Sequence, residues 1–209
     1  MEEKRIAIYL TNLGKYNEGC LIYELVKLPI DKEKLDEVLT RIGINEQYEE
    51  VFISDYETTL SNLHISEYSS IQELNELAEQ LDGLADHDYE KLAAILECES
   101  SMSIAEVLET IDELDNYDLL EDVDSDSSLA EYYIDNGYIF CDIPDNIKIY
   151  LDTDRLGRDI RLESANICYT SYGAVVDNRY AASSRLHHGG GCFHLFDKLE
   201  FAYFFLSLK

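Results

Sequence analysis

The sequence is poor in residues that interrupt regular structure. Its 209 residues include no tryptophan, two prolines, two methionines and ten glycines. So little proline and glycine excludes a low-complexity linker protein, and a hydrophobic content of 46% excludes a wholly disordered chain. The length fits one large domain or about two to three small ones.

Long apolar runs are also missing. None approaches the roughly 20 residues that a membrane-spanning helix needs. The segment after Lys4 and Arg5 is too short and too polar for a signal-peptide core. The five cysteines are scattered, with no C-x-x-C pair, which favours reduced thiols. We therefore expect a cytoplasmic protein with no membrane partner.

Positive charge is scarce, above all in the middle of the chain. Lysine and arginine number 16 against 44 aspartates and glutamates, so the net charge is −28. Residues 61–150 hold 24 of these acids and only two basic residues, Lys91 and Lys148. Such a protein does not bind nucleic acid through its overall field, and its natural partners are basic surfaces or cations.

The densest acidic stretch is ELDNYDLLEDVDSDSS, residues 113–128, which has no lysine or arginine. Acidic runs of this density usually belong to disordered tails. Here, however, apolar residues alternate with the acids: Leu114, Tyr117, Leu119, Leu120 and Val123. This pattern predicts a folded segment with its acids facing outward.

Local patterns predict an α+β fold. Residues 1–60 read as an α+β domain: strands IAIYLTNL and GCLIYELVKL around hairpin-type residues, a helix from Asp31 to Gly43, and strand YEEVFISDYE. Residues 61–115 read as an acidic helical domain. Three capping boxes are predicted along the middle of the chain, at Ser70/Glu73, Ser103/Glu106 and Ser128/Glu131.

Residues 116–178 read as a C-terminal α+β domain with a small antiparallel sheet. A helix is predicted from Pro144 to a stop at Gly157, followed by strands RDIRLE, ANICYTSY and GAVVDN. Residues 179–209 form an extension of unknown role.

A calcium site is one alternative explanation of the acids. Asp122, Asp124 and Asp126 match the first, third and fifth positions of an EF-hand loop. Ser127 stands where the loop needs glycine, however, and Tyr133 where it needs a bidentate glutamate. No metal site and no cofactor are therefore predicted, and loose condensation of cations on the acids is favoured over specific binding.

A metal-dependent hydrolase and a zinc site are two further alternatives. A metal-dependent hydrolase needs carboxylates in distinct environments, and with 44 acids any pair occurs by chance. The histidine-rich loop with His187, His188, Cys192 and His194 matches no zinc spacing. No catalytic residue is predicted, and the expectation is that the protein is not an enzyme.

The sixteen tyrosines leave two interpretations open. Those beside carboxylates are Tyr48, Tyr56, Tyr68, Tyr89, Tyr117, Tyr132 and Tyr133. In the first interpretation, each of these tyrosines is a half-buried core residue with a solvated hydroxyl. In the second, it is an aromatic anchor within an acidic interface.

The spacing of the acids suggests mimicry of DNA. Duplex DNA carries about one negative charge per 1.7 Å of axis, and residues three or four apart on a helix have Cβ atoms about 5–6 Å apart. Glu73, Glu76, Glu79 and Asp82 follow this spacing, as do Glu106, Glu109 and Asp112. Charge alone does not separate a DNA mimic from an ordinary soluble surface.

Several segments resemble the ArdA antirestriction family, which is carried by conjugative plasmids, transposons and phages. They are IYLTNLGKYNEG, LPID, IGINEQYEEVFISDYE, EYSSIQELNELAEQL, SLAEYYID and YLDTDRLGRDIRLE, and the resemblance covers roughly residues 6–178. It implies an elongated protein of three small domains that forms a homodimer through its C-terminal domain. It also implies a DNA mimic, without cofactor, that occupies the DNA-binding groove of Type I restriction–modification enzymes.

The resemblance places the family's acidic antirestriction motif at LLEDVDSDSSLAEYYID, with Leu120, Tyr132 and Tyr133 among its matching positions. The carboxylates expected to contact the partner are Glu73, Glu76, Glu79, Asp82, Glu106, Glu109, Asp112, Glu113, Asp115, Asp118, Glu121, Asp122, Asp124, Asp126 and Glu131. The family pattern ends near GAVVDN, about thirty residues before Lys209. The runner-up function is a general acidic module that sequesters another basic DNA-binding protein.

Overall fold

The computed structural model describes residues 6–139, 143–164 and 166–179. The histidine-rich loop and the C-terminal extension beyond Arg179 lie outside the described residues. Within them, eight helices and eight strands form a mixed α+β structure, which confirms the predicted class. The chain divides into two compact units, Met1–Asp115 and Asn116–Lys209. The division into three domains stays a prediction.

The first unit opens with a three-stranded antiparallel sheet. Its elements are β1 (Ile6–Asn12), α1 (Leu13–Asn17), β2 (Tyr23–Leu28), α2 (Lys32–Arg41) and β3 (Val51–Thr58), with strand order β2-β1-β3. One sheet face is buried because apolar residues recur at every second position of β1, with Ile6, Ile8 and Leu10 almost inaccessible.

The helix predicted between Asp31 and Gly43 is confirmed. The Asp31 side chain accepts a hydrogen bond from the Lys34 backbone N–H, and Gly43 has a φ of +84° just after the helix. The predicted hairpin residues between β1 and β2 instead form α1. The buried Asn12 side chain explains the difference, because it accepts from the Lys15 N–H and donates to the Ile42 carbonyl.

The rest of the first unit is mostly helical. Its elements are β4 (Leu63–His64), α3 (Ile71–Gly83), α4 (Asp86–Cys98), β5 (Met102–Ser103) and α5 (Ile104–Asp112), and β4 pairs with β5 in parallel. Leu74, Leu77 and Leu81 are buried at helical spacing, as predicted. Burying one such side chain contributes about 1.5–3 kcal/mol. On α3, the Asn75 amide exchanges two hydrogen bonds with the Ile30 backbone, which ties the helix to the segment after β2.

The second unit packs helices against an antiparallel sheet. A 3₁₀ turn (Leu114–Asn116) leads into β6 (Tyr117–Leu120), α6 (Asp126–Asp135), α7 (Asp145–Lys148), α8 (Thr153–Ser164), β7 (Ile167–Thr170) and β8 (Gly173–Asp177). The strand order is β6-β8-β7. The core contains Val123, Leu129, Tyr133, Ile160 and Ala174.

The predicted start of α6 is one turn too late. Ser125 caps the helix, and Ser128 is its partner in the capping box, so the predicted Ser128/Glu131 box is wrong. The two serines stand three residues apart, and their hydroxyl oxygens lie 2.9 Å from each other. Asp126 therefore lies in the first turn of the helix and not in the loop before it.

The prediction for residues 144–163 is also wrong in two places. The single helix to Gly157 is divided into α7 and α8, and RDIRLE is helical within α8. Gly157 is not a stop signal. A Cβ at this position would overlap the Asp126 carbonyl oxygen, so the glycine allows α6 and α8 to approach closely.

Two further expectations concern cysteines and membranes. Cys20 is a free, exposed thiol, as predicted, whereas Cys98 and Cys168 are disulfide-bonded, so the prediction of reduced thiols is wrong for these two. In the described part of the chain, no helix is long and apolar enough to cross a membrane.

Candidate functional site

The first group of acids follows α3. Glu73, Glu76, Glu79 and Asp82 are exposed. They recur at every third position, while the leucines between them are buried. Neighbouring carboxylates therefore start from Cβ atoms about 5–6 Å apart. The apolar residues of α3 repeat with the helical period of 3.6 residues, so they lie on one face of the helix and pack against the core. The acids lie on the remaining surface, which faces solvent.

A second group lies on α5, where Glu106, Glu109 and Asp112 are exposed. Glu106 also completes a capping box, since its carboxylate accepts from the Ser103 backbone N–H at 2.8 Å and from the Ser103 hydroxyl at 2.7 Å. These hydrogen bonds lower the pKa of Glu106, the backbone one most. Glu113 is half-buried, at the end of the helix.

The acids of the predicted antirestriction motif, with Asp115 and Asp118 just before it, surround β6 and the turn after it. Asp115, Asp118, Glu121, Asp122, Asp124 and Glu131 are exposed. Asp118 accepts a hydrogen bond of 2.8 Å from the Asn178 amide, and Asp124 accepts one of 3.2 Å from the Ser128 hydroxyl. Neutral donors orient these two carboxylates and leave their charge in place.

Asp126 is bound differently from the other predicted carboxylates of the motif. It is half-buried, and Arg161 donates to both of its oxygens, over 2.7 Å and 3.1 Å. The Tyr169 hydroxyl donates a third hydrogen bond, of 2.8 Å. These donors, Arg161 above all, lower the pKa of Asp126. No local pattern predicts this cluster, because Arg161 and Tyr169 lie 35 and 43 residues from Asp126 in the chain.

This bonding also weighs against the calcium alternative. Two oxygens that bind a guanidinium are poorly placed to complete an EF-hand, whose fifth position Asp126 would supply. Among the described residues, no group of three or more histidines, cysteines, aspartates or glutamates is placed to hold a metal ion.

The apolar residues of the motif face the core. Tyr133 belongs to the core of the second unit, and Leu120 and Tyr132 pack against it. Three tyrosines form one aromatic cluster, with ring centroids 6.1 Å apart for Tyr132–Tyr133 and 5.5 Å for Tyr133–Tyr138. Burial raises the pKa of Tyr133 to about 12. These side chains anchor the acidic segment to the core of the second unit.

The tyrosines beside carboxylates thus divide between the two interpretations. Tyr117 and Tyr133 are buried, whereas Tyr68 is 71% exposed. Tyr48, Tyr56, Tyr89 and Tyr132 are half-buried.

Little positive charge offsets the acids of residues 61–150. Lys148 pairs with Asp135 at 2.8 Å, and the Lys91 ammonium donates to the Leu114 carbonyl. None of the four described helices α3 to α6 has a basic residue in its last turn, and α5 and α6 each end on an aspartate. The helix dipole disfavours negative charge at that end. This part of the fold therefore carries acids that do not stabilise it.

Comparison with known families agrees with the resemblance in the sequence. A family model described as Antirestriction protein (ArdA) matches residues 8–176. The chain belongs to the ArdA antirestriction family. The match includes every predicted contact carboxylate, from Glu73 to Glu131, and residues of all three sheets that the structure describes. No curated protein matches the chain.

Proposed function

We propose that this ArdA protein is a DNA mimic that occupies the DNA-binding groove of Type I restriction–modification enzymes. The observation that carries the proposal is the series of exposed carboxylates on α3 and α5, set at helical spacing in a segment with two lysines. The second unit carries exposed acids of its own, those of the motif. No reaction is needed for this function, which is stoichiometric.

The attraction is electrostatic. A groove that binds DNA neutralises phosphates with lysine and arginine, and DNA binding there weakens steeply with salt. Carboxylates spaced about 5–6 Å apart meet the same basic side chains. We expect the inhibitor to share the salt sensitivity of DNA at this site.

We also propose that the protein forms a homodimer through its C-terminal unit. Ile149 and Tyr150 are exposed by 76% and 82%, and Ile147 and Leu162 are exposed as well. Three of these four residues fall within four positions of the chain, and exposed large apolar side chains of this kind are typical of protein–protein contacts. A dimer would double the number of carboxylates offered to one enzyme.

Competition with DNA tests the function. Purified protein is titrated into a complex of a Type I enzyme with fluorescent target DNA, and DNA release is followed by anisotropy. We expect complete release near one dimer per enzyme. A protein that leaves the DNA bound at that ratio lacks the proposed function.

A control experiment distinguishes a specific inhibitor of Type I enzymes from a general acidic binding module. The same titration is run on an unrelated basic DNA-binding protein of equal DNA affinity. Equal displacement from both proteins supports a general module, because bulk charge would then suffice. The proposal requires much stronger displacement from the Type I enzyme.

A further inference from the structure

On one face of the sheet of the first unit, the two outer strands, β2 and β3, have exposed side chains. The antiparallel register places Tyr9 between Leu25 on β2 and Asp55 on β3, and Ala7 between Lys27 and Glu57. Tyr23 follows on the same side, because it stands two residues from Leu25. We call Tyr9, Tyr23, Leu25, Asp55 and Glu57 the β2 face.

This face displays large apolar groups that a solvent-facing sheet does not require. Tyr23 is 51% exposed and Leu25 39%. Tyr16 and Leu21, just before β2, are also exposed. Aromatic side chains in such a patch supply contact area to a partner.

Carboxylates adjoin the rings of the β2 face. The Tyr9 hydroxyl donates to Glu57 over 2.6 Å, and the Tyr9 and Tyr23 ring centroids lie 5.7 Å apart. Asp55 stands directly opposite Tyr9 and is exposed. The face thus combines two aromatic rings with two carboxylates.

Within the described residues, the same combination holds a cation of the chain itself at three places. Lys15 lies 4.1 Å from the Tyr48 ring centroid and pairs with Glu18, and Arg179 lies 4.8 Å from that of Tyr117 and pairs with Asp177. Arg161 is likewise 5.6 Å from the ring centroid of Tyr169 while it pairs with Asp126. A cation gains from both the ring face and the carboxylate.

The β2 face has the same groups, but within the described residues no cation of the chain pairs with its carboxylates. Lys27 is the basic residue that the described structure places on this face; it stands two strands from Glu57, and no ion pair joins the two. The rings and carboxylates remain available to a cation from another molecule.

We propose that the β2 face binds arginine side chains of a basic protein surface. The guanidinium stacks on Tyr9 or Tyr23 and bonds to Asp55 or Glu57, while Leu25 packs against the apolar part of the arginine. The inference rests on the proposed function, because the DNA-binding groove of a Type I enzyme is a basic protein surface of this kind. It adds a contact with aromatic character to the carboxylates of α3 and α5.

Matched charge variants test the proposal. The double variant Asp55→Asn/Glu57→Gln is compared with Glu33→Gln/Asp36→Asn, which removes the same charge from exposed positions of α2. We expect the first to weaken binding to the Type I enzyme about tenfold and the second by less than about threefold. Equal losses would overturn the proposal, since bulk charge would then explain both.

A test on the wild-type protein needs neither a variant nor the enzyme. An oligo-arginine peptide with a nitroxide label is added, and the amide signals of the full chain are followed by NMR. We expect broadening at Tyr9, Tyr23 and Leu25 beyond that at Glu33 and Asp36, and weaker broadening with oligo-lysine of equal length. Broadening confined to residues 61–150 overturns the inference.

The two proposals fail separately. If the amide signals of the β2 face broaden but the protein does not displace DNA, the Type I function is contradicted and arginine binding is supported. DNA displacement without such broadening, and with equal losses in the two charge variants, removes the β2-face contact alone.

Discussion

Arg161 on α8 holds both carboxylate oxygens of Asp126, the first residue of α6, with its Nε 2.7 Å from Oδ1 and its Nη2 3.1 Å from Oδ2. The pair fixes the end of the acidic loop after β6. Asp126 thus supports the motif from within, and its contact with a partner stays a prediction.

Removing the guanidinium should loosen this support. We expect Arg161→Ala to lower the melting temperature and to weaken inhibition, because Asp126 would remain half-buried without its cation. Arg155→Ala, at an exposed position of α8, is the matched control and should change little. Circular dichroism melts and DNA displacement measure both effects. Equal melting temperatures and equal DNA displacement in the two variants would contradict the positioning role of Arg161.

The same pair predicts a pH dependence. The pKa of Asp126 is lowered in the folded state, so its stabilisation is fully present above the unfolded pKa, near about 3.9, and is lost as pH falls through the folded value. The difference in melting temperature between the wild type and Asp126→Asn should therefore be largest above about pH 5 and shrink below about pH 4. A constant difference down to pH 2 would contradict the assignment.

Gly157→Ala should be severely destabilising, by about 3 kcal/mol or more, because the new methyl group meets the Asp126 backbone. Gly83→Ala is the control: nothing lies within 4 Å of its Cβ position, and Gly83 is in α3. Helix propensity predicts a gain of about 0.5–1 kcal/mol there. Urea unfolding measures both changes, and a neutral Gly157→Ala would show that α6 and α8 can separate at no cost.

Tyr133 should influence stability in alkali. Burial raises its pKa to about 12, above the unfolded value near 10. Its contribution is thus complete below about pH 10 and is lost as pH rises towards the folded value. We expect Tyr133→Phe to be less sensitive than the wild type to pH between about 10 and 12. A matched Tyr68→Phe, which removes a hydroxyl from an exposed position, should lose stability between about pH 10 and 12 as the wild type does.

Neutralising the acids should reduce inhibition gradually. Replacing Glu73, Glu76 and Glu79 one after another by glutamine should weaken DNA displacement stepwise and reduce its salt dependence, because each removes one contact with a basic groove. Glu33→Gln and Asp36→Asn are the matched controls, because these two positions lie outside the series of carboxylates on α3 and α5. Complete loss of inhibition from a single substitution would indicate a catalytic or metal site instead of a distributed interface.

Prediction from sequence succeeded where a local signal and the tertiary structure agree. Asp31 and Gly43 delimit α2 because a cap and a positive φ are encoded by single residues. Ser103 and Glu106 form their capping box for the same reason. The buried leucines of α3 follow from periodicity alone.

It failed where residues distant in the chain decide the structure. Gly157 looked like a stop because its contact with Asp126 cannot be seen in the sequence. The alternation in RDIRLE suggested a strand, yet Ile160 is buried and Leu162 is 60% exposed, because α8 packs on α6 through one helical face. The outward position of most motif acids could be predicted, but the internal role of Asp126 could not.

The aspartates in the last turns of α3 and α5, Asp82 and Asp112, imply a conflict between stability and activity. Each opposes the dipole of its own helix, so substitutions that replace them with lysine should make the protein more heat-resistant. The same substitutions remove two of the proposed contact carboxylates. A variant library selected only for thermal tolerance should therefore accumulate well-folded proteins that no longer protect DNA, and their amino-acid changes should cluster at the carboxyl ends of these helices.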